Sequence, residues 1–329
     1  MTNLTRRIAI IGSGPSGFYA ADALFRTKAP LQVDIFERFP VPFGLVRHGV
    51  APDQKKIKSV TRAFERIADN QSFGFYGNVR LGKDISISDL NQHYDAILLA
   101  VGATEPKKLG IPGEELPGSY TSTEFVGWYN GHPDYALSTY DFSSEYAVVI
   151  GNGNVALDVA RVLAKGAEGL QDADIPAYAL NALQKSKIRE IIILGRRGPV
   201  QASFTLNELK ALKEIQDCQL LISKNQRSFN PASQSILDDP ANRLIKRNVE
   251  EMLTYDAEEK PAKRRIRFLF CHSPVSIDGT GRVTSITIRQ NKLVEIDGSV
   301  KAVPTDKLVN NPAGLIVSCL GYQGKAIEG

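Results

Sequence analysis

Short aliphatic runs, each closed by glycine, set the rhythm of this chain. Residues 7–11 (RIAII) lack polar alternation, the pattern of a central parallel strand covered on both faces. Helical spacing follows over 18–25, then a second strand over 31–36. Residues 95–103 form a further run, read as a buried strand closed by small residues. The same order returns midway, with a strand at 147–150, a helical stretch at 157–163 and a strand at 190–194. This alternation predicts an α/β fold built on parallel sheets. Residues 226–240 are polar and read as loop, whereas 266–270, 275–277, 283–289 and 293–296 read as short antiparallel strands. Asp278-Gly279 and Asp297-Gly298 mark turns between them.

The first run leads into Gly12-Ser13-Gly14-Pro15-Ser16-Gly17. Glycine clusters often mark plain turns, but a strand before and a helix after make a dinucleotide-binding unit. Gly12 permits the tight turn, Gly14 lets a pyrophosphate approach the backbone, and Gly17 lets helix and strand pack closely. The helix N-terminus adds unpaired N–H donors and partial positive charge. Glu37 ends the second strand, about 20 residues past Gly17, where such a unit places an acid on the adenosine ribose hydroxyls. The plain alternative is a solvated strand-end charge.

A second copy runs Gly151-Asn152-Gly153-Asn154-Val155-Ala156, but its partner strand ends at Gly195-Arg196-Arg197. An acid repels a 2′-phosphate, whereas paired arginines bind it in forked geometry, so this site reads as NADP(H). Arginines merely exposed at a strand end are the alternative. Two sites of different ribose chemistry imply two coenzymes. A hydride donor needs an acceptor, which assigns FAD to the first site and NADPH to the second. Two Rossmann-like domains follow: an FAD domain, 1–107 plus 311–329, and an inserted NADP domain, 108–310, carrying the small antiparallel sheet. Glu105-Pro106 and Asn311-Pro312-Ala313-Gly314 would be hinge connections.

Charge and cysteines narrow the field. Lys+Arg 40 against Asp+Glu 36 leaves a net charge of +4, dispersed rather than blocked, so nucleic acid is not an expected partner. Cys218, Cys271 and Cys319 lie far apart with no C-x-x-C pair. That excludes a disulfide framework, a dithiol redox motif and a Cys-ligated iron–sulfur cluster in this chain, and no metal site is expected. No apolar run approaches the ~18 residues of a membrane span. Gly12 ends the run that starts at Arg6-Arg7 too early for a signal peptide. A first strand this close to Met1 points to a bacterial cytoplasm, with a mitochondrial matrix as the alternative.

Several longer strings are far more specific. Val41-Pro42-Phe43-Gly44-Leu45-Val46-Arg47-His48-Gly49-Val50-Ala51-Pro52-Asp53, the stretch 111–118 (IPGEELPG), and Phe125-Val126-Gly127-Trp128-Tyr129-Asn130-Gly131 join both glycine units and 195–199 (GRRGP). Together they resemble the adrenodoxin-reductase type of ferredoxin–NADP reductase along nearly the whole chain. The resemblance implies hydride transfer from NADPH to FAD and then single electrons to a ferredoxin-type [2Fe-2S] protein, from a monomer. It implies that Ser16, Glu37, Leu45 and Leu81 contact FAD, with Gly44 in a turn close to the flavin. Asn152, Gly153, Asn154 and Val155 would hold the NADP pyrophosphate, and Arg196 and Arg197 its 2′-phosphate. Glu208 would sit near the nicotinamide half, although on pattern alone it is a solvated helix charge. Asp158 matches a family carboxylate near the flavin–nicotinamide junction, the candidate catalytic residue; a helix-start acid favoured by the dipole is the equal alternative.

Ferredoxins are acidic, so Arg243, Lys246 and Arg247, at helical spacing, are candidate docking residues, supported by Arg264, Arg265 and Arg267. Two departures stand out. Gln54 follows Asp53 where the family commonly has histidine, so no titrating role carries over. Family members also continue past Gly329 with a segment closing over the isoalloxazine, so the C-terminal part of the FAD domain is expected to be incomplete. The rival readings are a catalytically silent NADP-binding module and another two-dinucleotide flavoprotein.

Overall fold

Parallel strands form where the aliphatic runs predict them. The computed structural model describes residues 4–324, 326 and 327. They divide into two units, one up to Glu105 with the residues from Tyr322 onward, the other Pro106–Gly321.

In the first unit β1 (Arg6–Ile11), β2 (Leu31–Glu37), β3 (Phe73–Gly77) and β4 (Ala96–Leu99) make a parallel sheet in the order β3-β2-β1-β4. Strand side chains alternate between faces. Ile10, Val33 and Ile35 therefore pack with Ala21 of the helix Pro15–Arg26, while Ile11 and Phe36 pack with Leu90 on the other face. Each fully buried side chain of this size contributes about 1.5–3 kcal/mol on leaving water. The strand expected to be buried at 95–103 is different. Only Ala96–Leu99 pairs, at the sheet edge, and Leu98, Leu99 and Val101 are exposed. An edge strand has a neighbour on one side only, and Ile97 alone of its side chains joins the cluster around Leu90.

The chain leaves through β5 (Glu105–Pro106). Then come β6 (Ser119–Thr121), β7 (Tyr146–Ile150), β8 (Glu190–Gly195), β9 (Cys218–Leu221) and β10 (Arg264–Phe270). An antiparallel sheet follows from β11 (His272–Asp278), β12 (Ser285–Ile296) and β13 (Ser299–Pro312). Finally β14 (Leu315–Ser318) enters the six-stranded parallel sheet, ordered β6-β14-β7-β8-β10-β9, and β15 (Tyr322–Gln323) pairs with β5. The sheet is covered on both sides. Ile191 and Ile193 face the helices, and Ile192 and Leu194 face Ile277, Ile286 and Ile288 of the antiparallel sheet. A slip of one residue in β8 would exchange those faces, so burial fixes where the strand ends and the arginines begin.

Three sequence expectations change here. Residues 266–270 belong to β10, a parallel strand between β8 and β9, not an antiparallel one. They alternate because Arg265 and Arg267 turn to Glu190 instead of to an apolar layer. The polar stretch 226–240 contains a helix, Pro231–Asp238, capped by Asn230, whose side chain accepts from the Ser233 amide at 2.9 Å. The expected return near Asn311 comes at Tyr322 instead, because Leu315–Ser318 pairs between β6 and β7 inside the second unit.

Candidate functional site

In the first unit the glycine turn is built from close backbone approaches. Gly12 has φ +106°, and a Cβ there would lie 2.4 Å from the Ala100 carbonyl oxygen. A Cβ on Gly17 would lie 2.1 Å from the Gly12 carbonyl oxygen, so only glycine lets helix and turn meet. Gly14, the N-cap of the helix, faces open space, with nothing within 4 Å of where its Cβ would be. That opening at a helix N-terminus fits a pyrophosphate.

The Pro42-Phe43-Gly44 turn is a structural neighbour of this loop. The Phe43 amide donates to the Ser13 carbonyl at 3.0 Å, and a Cβ on Gly44 would lie 2.9 Å from Gly14 Cα. Phe43 holds a φ of 90°, kept there by burial against Phe18 and Phe64. Glu37 is buried, not a solvated charge. Its carboxylate accepts from the Ser13 amide (3.1 Å), the Ser13 hydroxyl (2.6 Å) and the Phe39 amide (3.1 Å). The acid thus braces the glycine turn, with lone-pair directions left for further donors. Ser16 is exposed on the first helical turn and Leu45 is exposed just after Gly44. Leu81 packs on the cluster holding Ile11 and Phe36.

In the second unit Gly151 follows β7, and a Cβ there would lie 2.6 Å from the Cys319 carbonyl oxygen. The Asn152 side chain lies over Gly195, where a Cβ would meet its Nδ2 at 2.0 Å, and its Oδ1 is buried without a donor. Gly153 caps the helix Asn154–Lys165. The Asn154 side chain is committed to the next loop, accepting from the Thr205 amide at 2.9 Å, while half-buried Val155 packs on the core. The amides of Asn154 and Val155 open this helix, the position at which helices bind anions.

Asp158 and Glu208 meet through a residue the sequence reading passed over. Arg161 is 1% exposed; its Nη2 donates to Asp158 at 2.7 Å and its Nη1 to Glu208 Oε2 at 2.8 Å. Glu208 is therefore a buried, paired carboxylate, not a solvated helix charge. A lone arginine three positions after an acid in an otherwise apolar helix was the available signal.

Arg196 and Arg197 are exposed at the end of β8 and line a cavity of about 500 Å³ that no carboxylate enters among the described residues. Their loop is fastened from the antiparallel side. Buried Asn291 donates from Nδ2 to the Arg196 carbonyl at 2.9 Å, and the Cys271 amide donates to the Arg197 carbonyl at 3.1 Å. A cation-lined hollow of this kind fits a phosphate ester.

On the helix Arg243–Leu253, Arg243, Lys246 and Arg247 are all exposed and make no ion pair among the described residues. The arginines expected to support them do not. Arg264 pairs with Glu168 at 3.0 Å, and Arg265 and Arg267 pair with Glu190 at 3.1 and 2.6 Å. All three cysteines are free. Burial pushes the Cys218 thiol up to about 11 and raises those of Cys271 and Cys319, so thiolate is scarce near neutral pH. No helix among the described residues is long and apolar enough to cross a membrane.

Comparison with known proteins identifies the family. Residues 6–322 match the family described as pyridine nucleotide-disulphide oxidoreductase. NADPH-ferredoxin reductase FprA of Mycobacterium leprae is 43% identical over 98% of this chain and 72% of its own. The mitochondrial NADPH:adrenodoxin oxidoreductase of Arabidopsis thaliana is 38% identical over 98% of this chain and 68% of its own. The solved structure of Mycobacterium tuberculosis FprA in complex with NADPH superposes with a TM-score of 0.94 at 40% identity, covering 99% of this chain and 73% of that one. With a family match over residues 6–322 and relatives this similar, the chain belongs to the pyridine nucleotide-disulphide oxidoreductases, among the NADPH-ferredoxin and adrenodoxin reductases.

Proposed function

We propose that the chain is an NADPH:ferredoxin oxidoreductase that holds FAD in its first unit and NADP(H) in its second. One observation carries this reading: the same strand–glycine–helix turn occurs twice, braced by Glu37 in one copy and followed by Arg196-Arg197 in the other. When bound, the coenzymes supply the redox chemistry, one NADPH yielding NADP+, a proton and two electrons that leave singly to two ferredoxins.

The chain's residues bind and orient. Gly12, Gly14 and Gly17 open the first turn, Ser16 and Glu37 offer polar groups to it, and Gly44, Leu45 and Leu81 complete the FAD side. Asn152, Gly153, Asn154 and Val155 present backbone to the second pyrophosphate; Asn154 acts through its amide, since its side chain holds Thr205. Asp158 and Glu208 serve the nicotinamide half, held in place by Arg161. The hydride step calls for no general acid or base.

Arg243, Lys246 and Arg247 form the docking face for an acidic iron–sulfur partner. The same reading takes the protein as a cytoplasmic monomer. Reversing charge at Arg243→Glu with Arg247→Glu is expected to lower kcat/KM for a [2Fe-2S] ferredoxin about tenfold at low salt. NADPH oxidation by ferricyanide should stay unchanged in the same preparation. Equal loss with both acceptors would remove the docking face from the account.

A further inference from the structure

The hollow beside Arg196 and Arg197 has a third guanidinium on its wall, and we propose that this residue, Arg289 of β12, is a further reader of the coenzyme's 2′-phosphate and so helps set its specificity. The inference rests on the reading above, in which the arginine pair takes NADP(H).

Arg289 lines the same cavity of about 500 Å³ as the pair. Its Nε–H is buried and meets no acceptor. A cation on a cavity wall with no carboxylate partner leaves a charge that an anion entering the cavity neutralises. Among the described residues nothing does so: no carboxylate lines the cavity, and Arg289 has no ion pair. Lys301, the other cation of the wall, already has Asp297 at 3.7 Å.

The strand also carries the means to keep Arg289 in register with the pair. The β12–β13 ladder shifts between Arg289 and Asn291, and such irregularities re-aim side chains. Asn291 is bonded both to the Arg196 carbonyl at 2.9 Å and to the Ser273 hydroxyl at 2.8 Å, so the strand bearing the third guanidinium is tied to the loop bearing the first. The ligand this chemistry fits is a phosphate monoester on a ribose, a dianion with three acceptor oxygens that three forked donors satisfy better than two.

Calorimetric titration of the FAD-loaded protein with adenosine 2′-monophosphate, and separately with adenosine 5′-monophosphate, tests this. Arg289→Met is expected to weaken the 2′-isomer roughly tenfold or more and the 5′-isomer less than about twofold. Arg289→Lys, keeping charge but losing the fork, should fall between the two, and it decides the matter if the methionine variant does not fold. An unchanged 2′-affinity in Arg289→Met, or equal loss of both isomers, overturns the proposal. Arg196→Gln with Arg197→Gln separates the two levels. If that variant loses the 2′-isomer while Arg289→Met does not, only Arg289 is dismissed. If neither loses it, the arginine-pair reading itself falls.

Discussion

Replacing Arg196 and Arg197 together by glutamine is expected to cost two to three decades of NADPH affinity and leave NADH affinity unchanged. Hydrogen bonds to a charged group contribute ~1.5–3 kcal/mol each, and two of them, reduced by solvent screening at an exposed strand end, come to about 3–4 kcal/mol. That is roughly 10²–10³ in Kd. The loss should shrink as salt rises, since both guanidiniums are open to water. The loop should keep its shape in the variant, because it is held through the Arg196 and Arg197 carbonyls and not through their side chains. Calorimetry with both coenzymes at fixed ionic strength measures the effect. A preference for the phosphorylated coenzyme that survives the double change would mean that the pair does not read it.

The second large effect is on stability. Arg161→Met leaves Asp158 and Glu208 without their shared buried cation, which at a buried pair costs about 3–5 kcal/mol. Much of that is the penalty of stranding the carboxylates. The triple variant Asp158→Asn, Arg161→Met and Glu208→Gln removes all the charges at once and is therefore expected to recover most of the loss. Urea melts of the single and triple variants measure the difference. A loss below about 1 kcal/mol in Arg161→Met would show that the cluster holds nothing together.

What the sequence revealed and what it hid divide along physical lines. The glycine turns were legible because each rule behind them is local: a positive φ at Gly12, a helix start at Gly14, a close approach at Gly17. The places of the residues at the two strand ends were legible for the same reason, as Glu37 closes its strand and Arg196 stands directly after its own. The partners of those residues were not. Arg161 reaches Glu208 across 47 positions and Asn291 reaches Arg196 across 95, and no periodicity reports such pairings. Burial was also misread where apolar pattern and position in the sheet disagree. Residues 96–99 look like β1 but lie at an edge, while Arg265 and Arg267, expected to support a docking surface, are paired with Glu190 on a strand inside a parallel sheet.

The account stands on one polypeptide holding two different dinucleotides at once. Counting them is the direct test: flavin per chain by absorbance after denaturation, and NADP+ per chain by calorimetric titration of the same flavin-loaded sample. The predicted result is one equivalent of each, with flavin content unchanged at saturating NADP+. Displacement of flavin by NADP+, or a chain that takes up only one of the two, would contradict it.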